Sequence, residues 1–130
     1  MSRILLDTHV LVWAALTPGR IPAEAAEQIE SSSNQVHFSL VSIWEVAIKY
    51  ALGRNDFNLP PQVLRESLFR FGYLELPIAP EHVIAVAKLP NHHRDPFDRL
   101  LVAQAQTEGL TLMTTDKTLA RYGPSVKRFK

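Results

Sequence analysis

Apolar residues along this chain gather in short runs separated by amphipathic stretches, and the alternation predicts strands and helices in turn. Ile4-Leu5-Leu6 is a continuous apolar run, as expected of a central strand buried on both faces of a sheet. Thr8 to Leu16 reads as a helix closed by Thr17-Pro18-Gly19, and Pro22 to Glu30 as a second helix opened by its proline. Val36-His37-Phe38 is a short strand. Ser39 is placed to cap a helix reaching about Leu52, with Gly53 as its stop. Further on, the pattern predicts a helix over 61–71, a strand over 73–76 and a short helix over 80–88. A helix from Asp95-Pro96 to Glu108 then ends at Gly109, and a strand over 110–113 follows. A last helical turn over 117–121 and a strand over 126–129 complete the series. Strands that alternate with helices imply crossovers, and hence an α/β fold with a mostly parallel sheet between helical layers.

Length and composition narrow this picture. The 130 residues suit one domain, 1–130, around a single core. A hydrophobic share of 46% with 21% charged residues is that of a globular chain rather than a disordered one. No repeat, low-complexity tract or linker interrupts it. The chain has no cysteine, which excludes disulfides and thiolate-held zinc or iron–sulfur centres. A net charge of +1 gives no general attraction for nucleic acid, though a local basic rim can still supply one. The longest uncharged apolar run, 10–16, falls far short of the ~20 residues that span a bilayer, and a cytoplasmic protein is expected.

Four carboxylates stand out against this pattern. Asp7 and Asp116 each follow a predicted strand, which puts them at the C-terminal edge of a parallel sheet, where such folds bind ligands. Each would also serve as a helix N-cap. Glu45 shares a helical stripe with Val41, Ile48 and Leu52, and Asp98 one with Leu101, Val102 and Ala105. An i,i+4 pair with Lys49 is the bland explanation of Glu45, and it is worth only about 0.2–0.5 kcal/mol on an exposed face. A buried, unpaired carboxylate costs several times more or gives up its charge. Asp95 reads instead as the N-cap that lets Asp98 face the cluster from the first helical turn.

A divalent cation among the four would keep them charged, and oxygen ligands without cysteine suit Mg²⁺ or Mn²⁺. Such ions activate water and stabilise charge on phosphate, so phosphodiester hydrolysis fits. Thr8, Ser42, Thr114 and Thr115 are available to hydrogen-bond the carboxylates. Arg94, Arg99 and Lys117 are candidate phosphate contacts, with Lys49, Arg54 and Arg121 nearby in sequence. His9 is either a helix-start residue or part of the site's lining. His92-His93 invites a metal or general-base role, but adjacent residues on an extended loop point apart, and the pair reads as polar loop leading into the Asp95 cap; Trp13 and Trp44 read as core or subunit-interface residues.

Four segments together resemble the successive motifs of a known family. They are Leu5-Leu6-Asp7-Thr8-His9-Val10-Leu11, Ser42-Ile43-Trp44-Glu45, His93-Arg94-Asp95-Pro96-Phe97-Asp98-Arg99 and Thr114-Thr115-Asp116. In this order they are similar to PIN-domain ribonucleases, and most closely to the VapC toxins of bacterial toxin–antitoxin modules. The resemblance implies a three-layer PIN-like fold and Mg²⁺- or Mn²⁺-dependent RNA cleavage by an acidic quartet, which Asp7, Glu45, Asp98 and Asp116 match. It also implies a hydroxyl beside the last carboxylate, met by Thr114 or Thr115, as well as a homodimer and a cognate antitoxin that covers the site. His9 departs from the family's usual Asn or Ser. Two other classes fit the residues: a silent binding module whose acidic pocket receives a basic peptide, and an aspartyl-phosphate phosphohydrolase. The second lacks its usual Asp two positions after Asp7, where this chain has His9.

Overall fold

In the computed structural model, which describes residues 2–130, five strands form one parallel sheet in the order β3-β2-β1-β4-β5. The strands are β1 (Arg3–Leu6), β2 (Gln35–Ser39), β3 (Leu74–Leu76), β4 (Thr111–Thr114) and β5 (Val126–Arg128). Six helices connect them: α1 (Thr8–Leu16), α2 (Ala23–Glu30), α3 (Leu40–Ala51), α4 (Pro61–Arg70), α5 (Pro80–Ala85) and α6 (Pro96–Glu108). The apolar run in β1 lies at the centre and is buried throughout, with Ile4 and Leu6 on one face and Leu5 on the other.

Two cores result. One packs Ile4, Leu6, Phe38 and Met113 of the sheet against Val10 and Leu11 of α1 and Leu64 and Leu68 of α4. The other packs Leu5 and Leu112 against Leu101, Val102 and Ala105 of α6. Helix α3 bridges them, with Val41 in the second core and Val46 in the first. The chain adds β2 and β3 to one side of β1 and then crosses back to place β4 on the other. The C-terminal ends of β1 and β4 are therefore the switch point where α/β sheets open a crevice.

Two predicted helices tighten into 3₁₀ turns. After Ala85 the chain continues as a 3₁₀ turn, Val86–Lys88, because Leu89 precedes Pro90 and must be extended. The final helical segment is a 3₁₀ turn at Leu119–Tyr122. The stripe expected to turn inward with Glu45 is also only half correct. Val41 is fully buried, but Ile48 is 38% and Leu52 73% exposed. The last turn of α3 is exposed at Tyr50, Ala51 and Leu52 alike, so no apolar layer covers it. Trp13 packs partly buried against the first core, whereas Trp44 is 52% exposed and meets Phe97 edge-on at 4.8 Å. No helix among the described residues is long and apolar enough to cross a membrane.

Candidate metal centre at the strand ends

The β1–β4 register decides the first contact. Leu6 pairs with Met113, and the Asp7 amide continues the ladder by donating to the Met113 carbonyl at 3.0 Å. This sets the Asp7 carboxylate beside Thr114, whose Oγ1 donates to Asp7 Oδ2. Asp7 Oδ1 accepts the Val10 amide at 2.9 Å, so the residue is the N-cap of α1 and a member of the cluster at once. Burial raises the Asp7 pKa above the ordinary carboxylate value against the lowering effect of these bonds, and Asp116 adds to the rise. Thr114 Oγ1 also accepts the Asp116 amide at 2.9 Å, so one hydroxyl links two of the four carboxylates.

Glu45 is brought to the same edge by α3, whose start is fixed by Ser39 Oγ accepting the Val41 amide at 2.9 Å. The carboxylate is 2% exposed. Lys49 does pair with it, Nζ to Oε2 at 2.5 Å, but Oε1 has no hydrogen-bond partner among the described residues. A buried carboxylate oxygen without a donor bears its full desolvation cost. Below, Thr8 Oγ1 donates to Ser42 Oγ at 2.9 Å, which locks α1 to α3 rather than touching a carboxylate.

Asp98 enters from the first turn of α6. Asp95 caps that helix as expected, with Oδ1 accepting the amides of Phe97 at 2.8 Å and Asp98 at 3.1 Å. Burial pushes the Asp98 carboxyl up to about 8, and the charges of Asp95, Asp7, Glu45 and Asp116 push it the same way. Four carboxylates raise a fifth only when they converge on it. Asp116 lies nearer the rim. Burial raises its pKa, but a bond from His93 and the amides of Thr118 and Leu119, at 2.7 and 3.3 Å, outweigh that and hold it below the ordinary range.

The sequence reading set His93 aside as polar loop. Its Nε2 lies 3.2 Å from Asp116 Oδ2 and 3.4 Å from Asp98 Oδ2, inside the cluster rather than on a passive loop. Only its spacing before the Asp95-Pro96 helix start hinted at this. Among the basic candidates, Arg94 and Lys117 are exposed beside Asp95 and Asp116. Arg99 needs correcting: its guanidinium donates to the carbonyls of Pro90 and Val86 and to Tyr122 Oη, and so ties a loop down instead of facing phosphate. Arg54 pairs with Asp56. Thr115 makes no side-chain hydrogen bond among the described residues, which leaves Thr114 as the hydroxyl in contact. His9 is exposed and packs edge-on to Phe57 at 5.6 Å.

The donor set fits a hard divalent cation. Carboxylate oxygens outnumber the donors reaching them, and the buried Oε1 of Glu45 lacks a partner that a cation would supply.

Comparison with known proteins bears on the fold and the family. A family model described as PIN domain matches residues 4–123. The chain is 30% identical over 124 residues to Ribonuclease VapC22 of Mycobacterium tuberculosis, covering 92% of this chain and 91% of that protein. Among solved structures, VapBC2 from Rickettsia felis, bound to a DNA fragment from its promoter, superposes with a TM-score of 0.73 at 16% identity. That match covers 98% of this chain and 99% of the other. VapBC-5 from Mycobacterium tuberculosis gives a TM-score of 0.61 at 21% identity, over 100% and 99%. With a family match over nearly its whole length and a relative aligned along nine-tenths of both proteins, the chain belongs to the PIN-domain family.

Proposed function

We propose that this protein is a metal-dependent endoribonuclease in which Asp7, Glu45, Asp98 and Asp116 hold one or two Mg²⁺ or Mn²⁺ ions. The observation that carries the proposal is the buried, unpartnered Oε1 of Glu45 in a cluster that also drives Asp98 to about 8. The name of the Mycobacterium tuberculosis relative supports ribonuclease activity. A divalent ion lowers the pKa of a coordinated water and neutralises charge on phosphate oxygens, which favours in-line hydrolysis of a phosphodiester.

The chain's own groups prepare the site. Lys49 fixes Oε2 of Glu45, and the unpartnered Oε1 would be the oxygen available to hold a cation. Thr114 orients Asp7 and anchors the Asp116 backbone. Asp98, pushed up to about 8, would have to be deprotonated to hold a cation. Exposed Arg94 and Lys117 supply phosphate contacts along the RNA. The matched complexes, named as VapBC and toxin–antitoxin assemblies, support a cognate antitoxin that restrains this activity. A homodimer acting in the cytoplasm is what the family resemblance implies.

Incubating the purified protein with total RNA tests the reading. Cleavage should require Mg²⁺ or Mn²⁺, stop with chelator, and disappear in Asp98→Asn. Cleavage that persists in chelator, or at wild-type rate in that variant, overturns the metal assignment. A protein that binds an antitoxin yet cuts no RNA under any of these conditions would be the silent module.

A further inference from the structure

The His93 ring is held from both nitrogens. Nδ1 lies 3.0 Å from the Asp95 amide, which can only donate. A ring nitrogen that accepts carries no proton, so the proton sits on Nε2. Nε2 is the nitrogen facing Asp116 Oδ2 at 3.2 Å and Asp98 Oδ2 at 3.4 Å. The backbone is fixed as well. The His93 amide donates to Tyr122 Oη at 3.0 Å, and Arg99 donates to the same hydroxyl at 3.1 Å and to the Pro90 carbonyl at 3.0 Å.

His93, Asp98 and Asp116 present ligand atoms within 4.8 Å of one another, which has the make-up of a mixed nitrogen–oxygen cation site. The Asp95 amide opposes that reading. To ligate through Nε2, the neutral ring must move its proton to Nδ1, where it would meet the Asp95 N–H head-on. Asp95 cannot retreat easily, because its carboxylate caps α6 through two amides.

We propose that His93 is a positioning residue whose Nε2–H bridges Asp98 and Asp116 and sets their separation. In this arrangement the Asp95 amide bars the ring from ligation, so the cation's protein ligands are oxygens alone. An oxygen-only shell prefers hard Mg²⁺ or Mn²⁺, whereas an imidazole ligand would favour Zn²⁺ or Ni²⁺. The inference rests on the metal-dependent reading above and concerns one ring within it.

Long-range ¹H–¹⁵N correlation of ¹⁵N-histidine-labelled protein, metal-free and then titrated with Mg²⁺, reads the tautomer directly. Calorimetry on the same samples establishes Mg²⁺ binding independently. The expected result is a protonated Nε2 and an unprotonated Nδ1 in both states. Mg²⁺ binding with loss of the Nε2 proton overturns the positioning role and leaves the metal reading intact. Absence of Mg²⁺ binding overturns both. As a second arm, His93→Ala should weaken Mg²⁺ affinity about 10- to 100-fold, as loss of a ligand-orienting partner does. His93→Gln, whose amide can still donate, should recover most of it, and kcat at saturating Mg²⁺ should change less than the apparent Mg²⁺ constant. Wild-type Mg²⁺ affinity in a folded His93→Ala protein overturns the proposal.

Discussion

His82 and His93 each accept a backbone amide at Nδ1 and turn Nε2 to a carboxylate, but they sit in opposite electrostatic settings. His82 is buried between α5 and α6, with Nδ1 2.9 Å from the Ala79 amide and Nε2 2.7 Å from Glu108 Oε2. Gln104 joins the same network, donating to the Pro77 carbonyl at 3.2 Å and accepting from Ser39 Oγ at 2.5 Å. One carboxylate meets one histidine there, and no buried side-chain polar atom of the network lacks a partner among the described residues. In the cluster that His93 joins, burial and four neighbouring carboxylates push Asp98 up to about 8, and Glu45 Oε1 is left without a donor among the described residues. A histidine–carboxylate pair is therefore no sign of function in itself. The excess of acceptors over donors distinguishes a site that needs a cation from a network that is complete without one.

The largest test of this contrast is Asp98→Asn. It should reduce Mg²⁺-dependent RNA cleavage by at least about 100-fold, since it strikes a ligand rather than a ligand's support. The same change should raise the melting temperature of the metal-free protein, because it removes a buried, repelled carboxylate. A variant that is both inactive and less stable in chelator would contradict the charge-excess account.

His82→Ala should do the reverse. Stability should fall by about 2–4 kcal/mol in chemical denaturation, as Gln104, Glu108 and the Ala79 amide lose their partner. Cleavage by the folded protein should stay within about threefold of wild type. A selective loss of activity would mean that the two networks are coupled through α6.

pH separates them further. The folded pKa of Asp98 lies above its unfolded value of 3.8, so the metal-free folded state favours the protonated form. Its contribution is fully present below about pH 4 and is lost as pH rises through about 8. Metal-free stability should therefore decline across that window, and saturating Mg²⁺ should flatten the decline. Apparent Mg²⁺ affinity should rise with pH, by up to about tenfold per unit for each proton released. Denaturation curves at pH 5.5 and 8.5, with and without chelator, measure both effects.

The smallest contrast lies within one strand end. Thr114→Val removes the donor to Asp7 and the acceptor for the Asp116 amide, and should cost about tenfold in kcat/KM. Thr115→Val removes no side-chain bond and should stay within about 0.5 kcal/mol in stability and twofold in activity. Equal effects would show that the Asp7–Thr114 bond does not orient the site.

Much of this was legible in the chain itself. The strand at Ile4–Leu6, the Ser39 and Asp95 caps and the helix end at Gly109, where φ is +69°, all follow from local patterns, and each is found as read. Local chemistry decides such features, because a cap or a left-handed turn is satisfied within a few residues. The errors lie where long-range packing takes over. Ile48 and Leu52 have the right periodicity, but no neighbouring layer covers the end of α3. Arg99 has the right charge, yet three carbonyls and a tyrosine of distant segments consume its donors. His93 carries no periodic signal at all, because its ring is placed by contacts with Asp95, Asp98 and Asp116 and its backbone by Tyr122.

The sequence alone determined the alternation of elements, hence the parallel sheet, and the presence of four acidic residues at strand ends and on apolar helical faces. Hydrophobic period and capping are local properties, and they are written residue by residue. Only the tertiary structure decided that the four carboxylates approach one another and that Thr114 rather than Thr115 links two of them, Asp7 and Asp116. It also decided that Glu45 keeps one oxygen unpartnered despite Lys49, and that a loop histidine joins the cluster. Those outcomes depend on strand register and on the crossover that sets β4 beside β1, which no local stretch of the chain encodes.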